Sequence, residues 1–121
     1  MRKRLDAVFS KYIRFRDCPD GIGYCITCGA KITPSTCDAG HYISRRVTAT
    51  RWNEINVNAQ CVKCNRLNYG ETKWYKEALI KRYGEDVVNR LEQRRNTIVH
   101  LTATDMENII KHFQSKLKEY G

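Results

Sequence analysis

Residues 25–65 read CITCGAKITPSTCDAGHYISRRVTATRWNEINVNAQCVKCN, with one Cys-x-x-Cys pair at each end, Cys25/Cys28 and Cys61/Cys64. Each pair forms a tight knuckle whose two sulfurs converge on one ion, and two pairs supply four thiolates at tetrahedral spacing. Such a site has no open position, so the metal it suits, Zn²⁺, is expected to be structural and not catalytic. Residues 29–60 lie between the inner cysteines, a longer insert than compact four-cysteine sites carry. The ion is therefore expected to clamp the base of an inserted hairpin, with one strand near 39–44, a basic loop at 45–53 and a second strand near 55–60. Cys18 and Cys37 fall outside the pattern and read as ordinary cysteines.

The flanks are helical. Leu5, Val8, Phe9, Tyr12 and Phe15 follow a helical rhythm over 4–16, and Cys18-Pro19-Asp20-Gly21 turns the chain. Tyr75, Ala78, Leu79 and Tyr83 share a face that ends at Gly84, and Val87, Val88 and Leu91 suggest a second short helix. Thr104 with Glu107 makes a capping-box pattern before Met106, Ile109, Ile110, Phe113 and Leu117, which predicts a helix over 105–119. The fold class is α+β. Residues 1–121 read as a single domain: an N-terminal helix in 1–21, the zinc site and hairpin core in 22–84, and C-terminal helices in 85–121.

Composition narrows the function. The chain has 121 residues, 41% hydrophobic and 29% charged, which argues against a disordered or fibrous chain. No apolar run approaches the ~20 residues that cross a bilayer, so no membrane role is expected. The charged start, Met1-Arg2-Lys3-Arg4, lacks the apolar stretch of a secretory signal, which predicts a cytoplasmic protein with reduced thiols. Twenty-two Lys and Arg against 13 Asp and Glu give a net charge of +9. That favours a polyanion, nucleic acid before anionic membrane, and disfavours a zinc-ribbon protein–protein adaptor.

Inside the insert stands Cys37-Asp38-Ala39-Gly40-His41-Tyr42, followed by Asn56, Asn58 and Cys64-Asn65. A histidine on a hairpin strand and an asparagine opening a helix can face each other. A neutral histidine takes a proton from water that attacks phosphorus in line. A hard cation on oxygen ligands neutralises the phosphate and the departing 3′ oxygen.

The spacing of Cys25-x-x-Cys28, Gly40-His41, Asn56 and Cys61-x-x-Cys64-Asn65 resembles the HNH (ββα-metal, or His-Me finger) nucleases that carry a zinc clamp. Asp38-Ala39-Gly40-His41-Tyr42, Arg51-Trp52-Asn53-Glu54-Ile55-Asn56, Gln60-Cys61, Cys64-Asn65, Tyr75, Leu79-Ile80 and Tyr83-Gly84 together resemble the Rap (NinG) recombination nucleases of lambdoid phages, over about residues 5–95. The resemblance implies a ββα-metal core and Mg²⁺- or Mn²⁺-dependent DNA endonuclease activity. It also implies a preference for branched recombination intermediates such as Holliday junctions and D-loops. Carried over by position, His41 is the general base, Asn65 a metal ligand and Asn56 the residue that braces the loop. One departure stands out: many HNH enzymes place a metal-binding acid directly before the base, where this chain has Gly40. Asp38-Ala39-Gly40-His41 looks instead like the Asp-Arg-Gly-His signature of non-specific ββα-metal nucleases. Asp38 either orients His41 or binds metal, directly or through water.

Arg45, Arg46 and Arg51 in the hairpin loop, and Lys63, Arg66 and Lys73 near the following helix, are expected to track phosphates. Trp52 and Trp74 read as packing residues before base-stacking wedges. The expected protein is a zinc-stabilised endonuclease encoded by a phage or prophage and acting in the bacterial host. A homodimer and a recombinase partner are compatible with that role. The rival is a non-catalytic zinc-binding DNA module with a degenerate nuclease fold. Both readings require DNA affinity that falls steeply as salt rises, because bound cations release counterions. A filter-binding titration across NaCl concentrations checks this, and a flat response would exclude a phosphate-tracking surface.

Overall fold

The apolar rhythm of the first residues produces helix α1 (Arg2–Asp17), which buries Leu5, Phe9, Tyr12 and Ile13 at helical spacing. The computed structural model describes residues 1–67 and 72–120. Cys18 closes α1 by donating its backbone N–H to the Arg14 carbonyl. Gly21, with φ of +82°, then makes the turn expected at that point.

Two small antiparallel sheets follow. Strands β1 (Gly23–Tyr24) and β2 (Lys31–Ile32) pair around the first Cys-x-x-Cys turn, a hairpin the sequence reading did not anticipate. Strands β3 (Cys37–His41) and β4 (Val57–Cys61) pair from Cys37↔Cys61 to His41↔Val57. The predicted strands at 39–44 and 55–60 are therefore displaced, because the ladder starts at Cys37 and ends at His41. Residues beyond His41 leave the sheet after one more bond, from Tyr42 N–H to the Asn56 carbonyl. The predicted basic loop contains a short helix, α2 (Thr48–Arg51).

After β4 comes a π-helical turn at Lys63–Leu67, then helices α3 (Thr72–Tyr83), α4 (Glu85–Arg94) and α5 (Ala103–Leu117), ending in a 3₁₀ turn at Lys118–Tyr120. Gly84 separates α3 from α4 with φ of +94°. The cap of α5 differs from the expectation. Thr102, in extended conformation, accepts from Asp105 N–H, and Asp105 accepts from Thr102 N–H. Thr104 already lies inside the first turn, so the box is Thr102/Asp105 and not Thr104/Glu107.

The β3–β4 hairpin sits among three apolar groups. Phe9, Tyr12, Ile13 and Phe113 pack α1 and α5 against Val57. Tyr75, Leu79, Val88 and Leu91 pack α3 and α4 under Ile43. Cys18, Ile32, Cys37 and Ala59 close around Cys25 and Cys64. Truncating a buried leucine of this kind to alanine costs about 2–5 kcal/mol. Among the described residues, no helix is long and apolar enough to cross a membrane.

Tyr75 is fully buried and its hydroxyl donates to the Gly40 carbonyl at 2.6 Å, fastening α3 to β3 one residue before His41. Tyr75→Phe keeps the packing and loses the bond. It is expected to cost ~1–2 kcal/mol in urea denaturation, and an unchanged midpoint would show that the bond has no net worth.

Candidate catalytic cleft and metal centre

The four knuckle cysteines meet. The sulfurs of Cys25, Cys28, Cys61 and Cys64 all lie within 4.8 Å of one another, so the four residues are positioned to bind a metal ion. Gly29, at φ +76°, reverses the first knuckle, and Cys25 exchanges backbone bonds with Gly29 and Ala30. Ile26 N–H donates to the Ala59 carbonyl, docking that knuckle on β4. The second knuckle is closed by Cys64 N–H donating to Cys61 Sγ at 3.5 Å. Burial raises the Cys25 thiol, but Thr27 Oγ1 and the backbone N–H groups of Cys28, Cys61 and Thr27 outweigh it and bring it to about 6. Burial and neighbouring thiols push Cys28 up and Cys64 to about 12. One stabilised thiolate among crowded sulfurs is the electrostatic situation a soft dication resolves, and four sulfur donors are compatible with structural zinc. Cys18 and Cys37 are buried beside this cluster and touch each other. They contribute to its apolar wall and lie outside the four-sulfur group.

A cleft of about 590 Å³ opens between α1 and the β3 edge, lined by Asp6, Arg14, Asp38, His41, Arg45, Asn65 and Arg66 among others. It brings together His41, Asn65 and Asp38, as the sequence reading required, and adds Asp6 and Arg14 from α1. His41 Nε2 lies 2.8 Å from the Arg51 carbonyl. A carbonyl only accepts, so Nε2 carries the proton and the neutral ring keeps its lone pair on Nδ1. Burial lowers the His41 pKa below its ordinary 6.5, with the Arg51 carbonyl acting in the opposite direction and Arg45 adding to the fall. The imidazole is therefore neutral at pH 7.

Asn56 is fully buried and spans the loop. Its Oδ1 accepts from Ile43 N–H at 2.7 Å, and its Nδ2 donates to the carbonyls of Ile43 and Thr50, each at 3.0 Å. It ties both ends of the 42–56 connection directly behind His41. Asn58, also buried, accepts from Arg16 and Arg82 and donates to the Ile55 carbonyl. Its place is structural, in a network with Asp17, whose carboxyl takes bonds from Arg16, Arg82 and Ala59 N–H.

Asp38 does not touch the imidazole. It accepts from Asn65 Nδ2 at 3.0 Å and from Arg66 Nε and Nη2, each at 2.9 Å. Strand alternation sends positions 38 and 41 to different faces; both still border the cleft, Asp38 at the edge where Asn65 and Arg66 hold its carboxylate. An orienting role for Asp38 on His41 is thus not supported, whereas its adjacency to Asn65 places two hard oxygen donors at one edge of the cleft. Gly40 has a steric cause as well. A Cβ there would collide with the Gln60 side chain, which also donates to Thr27 in the first knuckle. An acid directly before His41 has no room.

The proposed phosphate-tracking residues divide. Arg45 and Arg66 line the cleft, while Arg46, Lys63 and Lys73 are exposed outside its lining. The Arg51 side chain is only 14% exposed and is engaged by Asp6, with Nη1 donating to the Arg45 carbonyl. It is a structural cation of the loop and not a free phosphate ligand. Trp52 donates its indole N–H to Asp6, whereas Trp74 is 54% exposed beside Lys73. Asp6 and Arg14 escaped the sequence reading because on one helix they look like ordinary polar-face residues. Only the packing of α1 across β3 brings them to the cleft.

A family profile described as Bacteriophage Lambda NinG protein matches residues 1–121. Protein ninG of Escherichia phage lambda is 37% identical over 110 residues, 88% of this chain and 49% of that protein. Protein ninG of Salmonella phage P22 is 37% identical over 111 residues, 88% of this chain and 49% of that one. Protein ninG of Escherichia phage 933W is 36% identical over 110 residues, 88% of this chain and 50% of that one. The chain spans about half the length of the curated relatives it matches. No solved structure matches it significantly.

Structural zinc contributes apparent free energies on the order of 10 kcal/mol in small modules, comparable to the whole stability of a domain. Cys64→Ser, or a strong chelator with the unsubstituted chain, is expected to remove bound zinc and lower the melting temperature by tens of degrees or abolish the transition. Melting that ignores the chelator would exclude a structural metal.

Proposed function

The chain belongs to the bacteriophage lambda NinG family, and from that premise we propose that it is a divalent-metal-dependent DNA endonuclease with a ββα-metal core, selective for branched recombination intermediates. The single observation that carries the chemical part is the state of His41: neutral, protonated on Nε2, and in one cleft with Asn65 and Asp38. Its Nδ1 is the base that takes the proton from an attacking water. Asn56 braces the connection and so fixes where that nitrogen sits. Asn65 Oδ1 and the Asp38 carboxylate suit Mg²⁺ or Mn²⁺, which when bound neutralises charge on the phosphate and on the departing 3′ oxygen. Asp38 is released to that duty only as Arg66 turns its guanidinium toward a phosphate, a role its 64% exposed side chain permits. Arg45 and Arg14 add positive charge to the same walls. The zinc-binding cysteines take no part in the chemistry.

Selectivity for Holliday junctions and D-loops rests on the resemblance to recombination nucleases, as do a recombinase partner and action in the host cytoplasm. Paired cutting of a junction calls for two active sites, which a homodimer would supply. A second reading, a DNA-binding module without hydrolysis, draws on one observation: Asp38 is already satisfied by Arg66 and Asn65.

Cleavage of a four-way junction, a D-loop, a flap, linear duplex and single strand with Mg²⁺ separates the two. His41→Ala is expected to lower cleavage by about 10²–10⁴-fold while zinc content and junction affinity stay unchanged. Wild-type cleavage is expected to rise with pH through a pKa below 6.5 and to be complete by neutrality, because the active form is the deprotonated one. Equal rates for His41→Ala and wild type would remove His41 as the base, and a wild type that binds every substrate but cuts none would leave the binding module.

A further inference from the structure

The cation and indole that α1 fastens belong to the loop whose carbonyl holds the imidazole. Asp6 Oδ1 accepts from Arg51 Nε at 3.1 Å and from Trp52 Nε1 at 2.9 Å, while Oδ2 accepts from Arg51 Nη2 and, at 3.0 Å, from Arg45 Nη2. All these donors lie on the connection between β3 and β4. Burial raises the Asp6 carboxyl, but the bonds from Arg51 and Trp52 outweigh it and hold it below 3.8, so it is charged throughout the neutral range. The Arg51 guanidinium also packs over the Trp52 ring at 5.1 Å. The residue whose side chain is thus immobilised is the one whose backbone oxygen accepts from His41 Nε2.

We propose that Asp6 is a positioning residue for His41, anchoring the Arg51 and Trp52 side chains so that the Arg51 carbonyl selects the Nε2-protonated ring and leaves Nδ1 as the base. Its catalytic consequence rests on the reading of His41 as that base; the anchoring itself does not. A fixed carboxylate is preferable to a mobile one here because charge-assisted, paired bonds set direction as well as energy. Without Asp6, the largely buried Arg51 and the exposed Arg45 are left as two adjacent cations without their carboxylate. Among the described residues, Asp6 alone on α1 bonds the Arg51 guanidinium, whereas Trp52 also packs against the α1–α5 core. The four hydrogen bonds also exclude the simpler reading of Asp6 as a bystander on the polar face of its helix.

The test compares wild type, Asp6→Asn, Asp6→Ala, Arg51→Ala and the Asp6→Ala/Arg51→Ala double variant. Zinc content and circular dichroism check the fold, which Leu5, Phe9, Tyr12 and Ile13 hold independently of Asp6. In ¹⁵N-histidine-labelled protein, long-range ¹⁵N–¹H correlation reports which ring nitrogen carries the proton. His41 is assigned by its loss in His41→Ala. Wild type is expected to show one tautomer with the proton on Nε2. Asp6→Ala is expected to show a mixture, with Asp6→Asn between them. Single-turnover junction cleavage by Asp6→Ala is expected to fall about 10–10²-fold at saturating enzyme with unchanged affinity. The double variant should fall no further than the worse single, since both act through one carbonyl. An unchanged tautomer in Asp6→Ala overturns the proposal. So does an additional loss in the double variant, or recovery of Asp6→Asn at raised Mn²⁺, either of which would make Asp6 a direct participant. A shifted tautomer in Asp6→Ala, with His41→Ala cutting like wild type, would leave the anchoring intact and defeat the nuclease reading instead.

Discussion

Four sulfurs lie within 4.8 Å of one another, positioned to bind a metal ion, at the end of the β3–β4 hairpin opposite its loop. Every position in the cleft is referred to that point. Cys37 pairs with Cys61 in the ladder, and four residues further along β3 the same ladder ends at His41. The two strands are only five residues long and form a sheet of two, too small to be stable alone. Helix packing on both sides supplies part of what the hairpin lacks, and the four-sulfur cluster at its end is positioned to add a metal clamp. The turn at Lys63–Leu67 follows directly from the second knuckle, so Asn65 and Arg66 are located relative to β3 by the same cluster.

Much of this was legible in the sequence. The spacing of the cysteines predicted the four-sulfur cluster, and apolar periodicity predicted α1, α3, α4 and α5, because these patterns are local and a helix or knuckle needs little outside itself. Strand limits were less legible. Apolar and β-branched residues around 42–44 suggested continuation of β3, yet Ile43 turns into the α3–α4 packing, its backbone groups taken by the Asn56 side chain in place of the ladder. The cap at Thr102 was missed since two threonines, each followed three residues later by an acid, compete there, and only backbone conformation chooses between them. The motif pointed to His41 and Asn65, which the fold brings to one cleft, while the engagement of Arg51 by Asp6 depends on contacts across more than thirty residues of chain, which no spacing encodes.

Helix α1 emerges as part of the cleft and not merely as its support. One face of it carries the core with Phe113 and Val57, and its flank carries Asp6 and Arg14 into the opening. This joins the stability of the N-terminal segment to the arrangement of the loop, by way of side chains that are charged and hydrogen-bonded instead of apolar. The net charge of +9 is accordingly not spread evenly in its use: some arginines, such as Arg16 and Arg51, are spent internally on carboxylates and carbonyls, and others, such as Arg45 and Arg66, remain turned to solvent.

The contact of Gly40 with Gln60 carries an evolutionary corollary. Because the glutamine amide fills the volume a β-carbon would need and also reaches the first knuckle through Thr27, positions 40 and 60 are sterically linked across the ladder. A lineage could acquire a carboxylate beside the histidine only by first, or simultaneously, shortening residue 60, and that change would slacken the tie to the metal-binding turn. Residue 40 and the first knuckle are thereby joined through one buried glutamine.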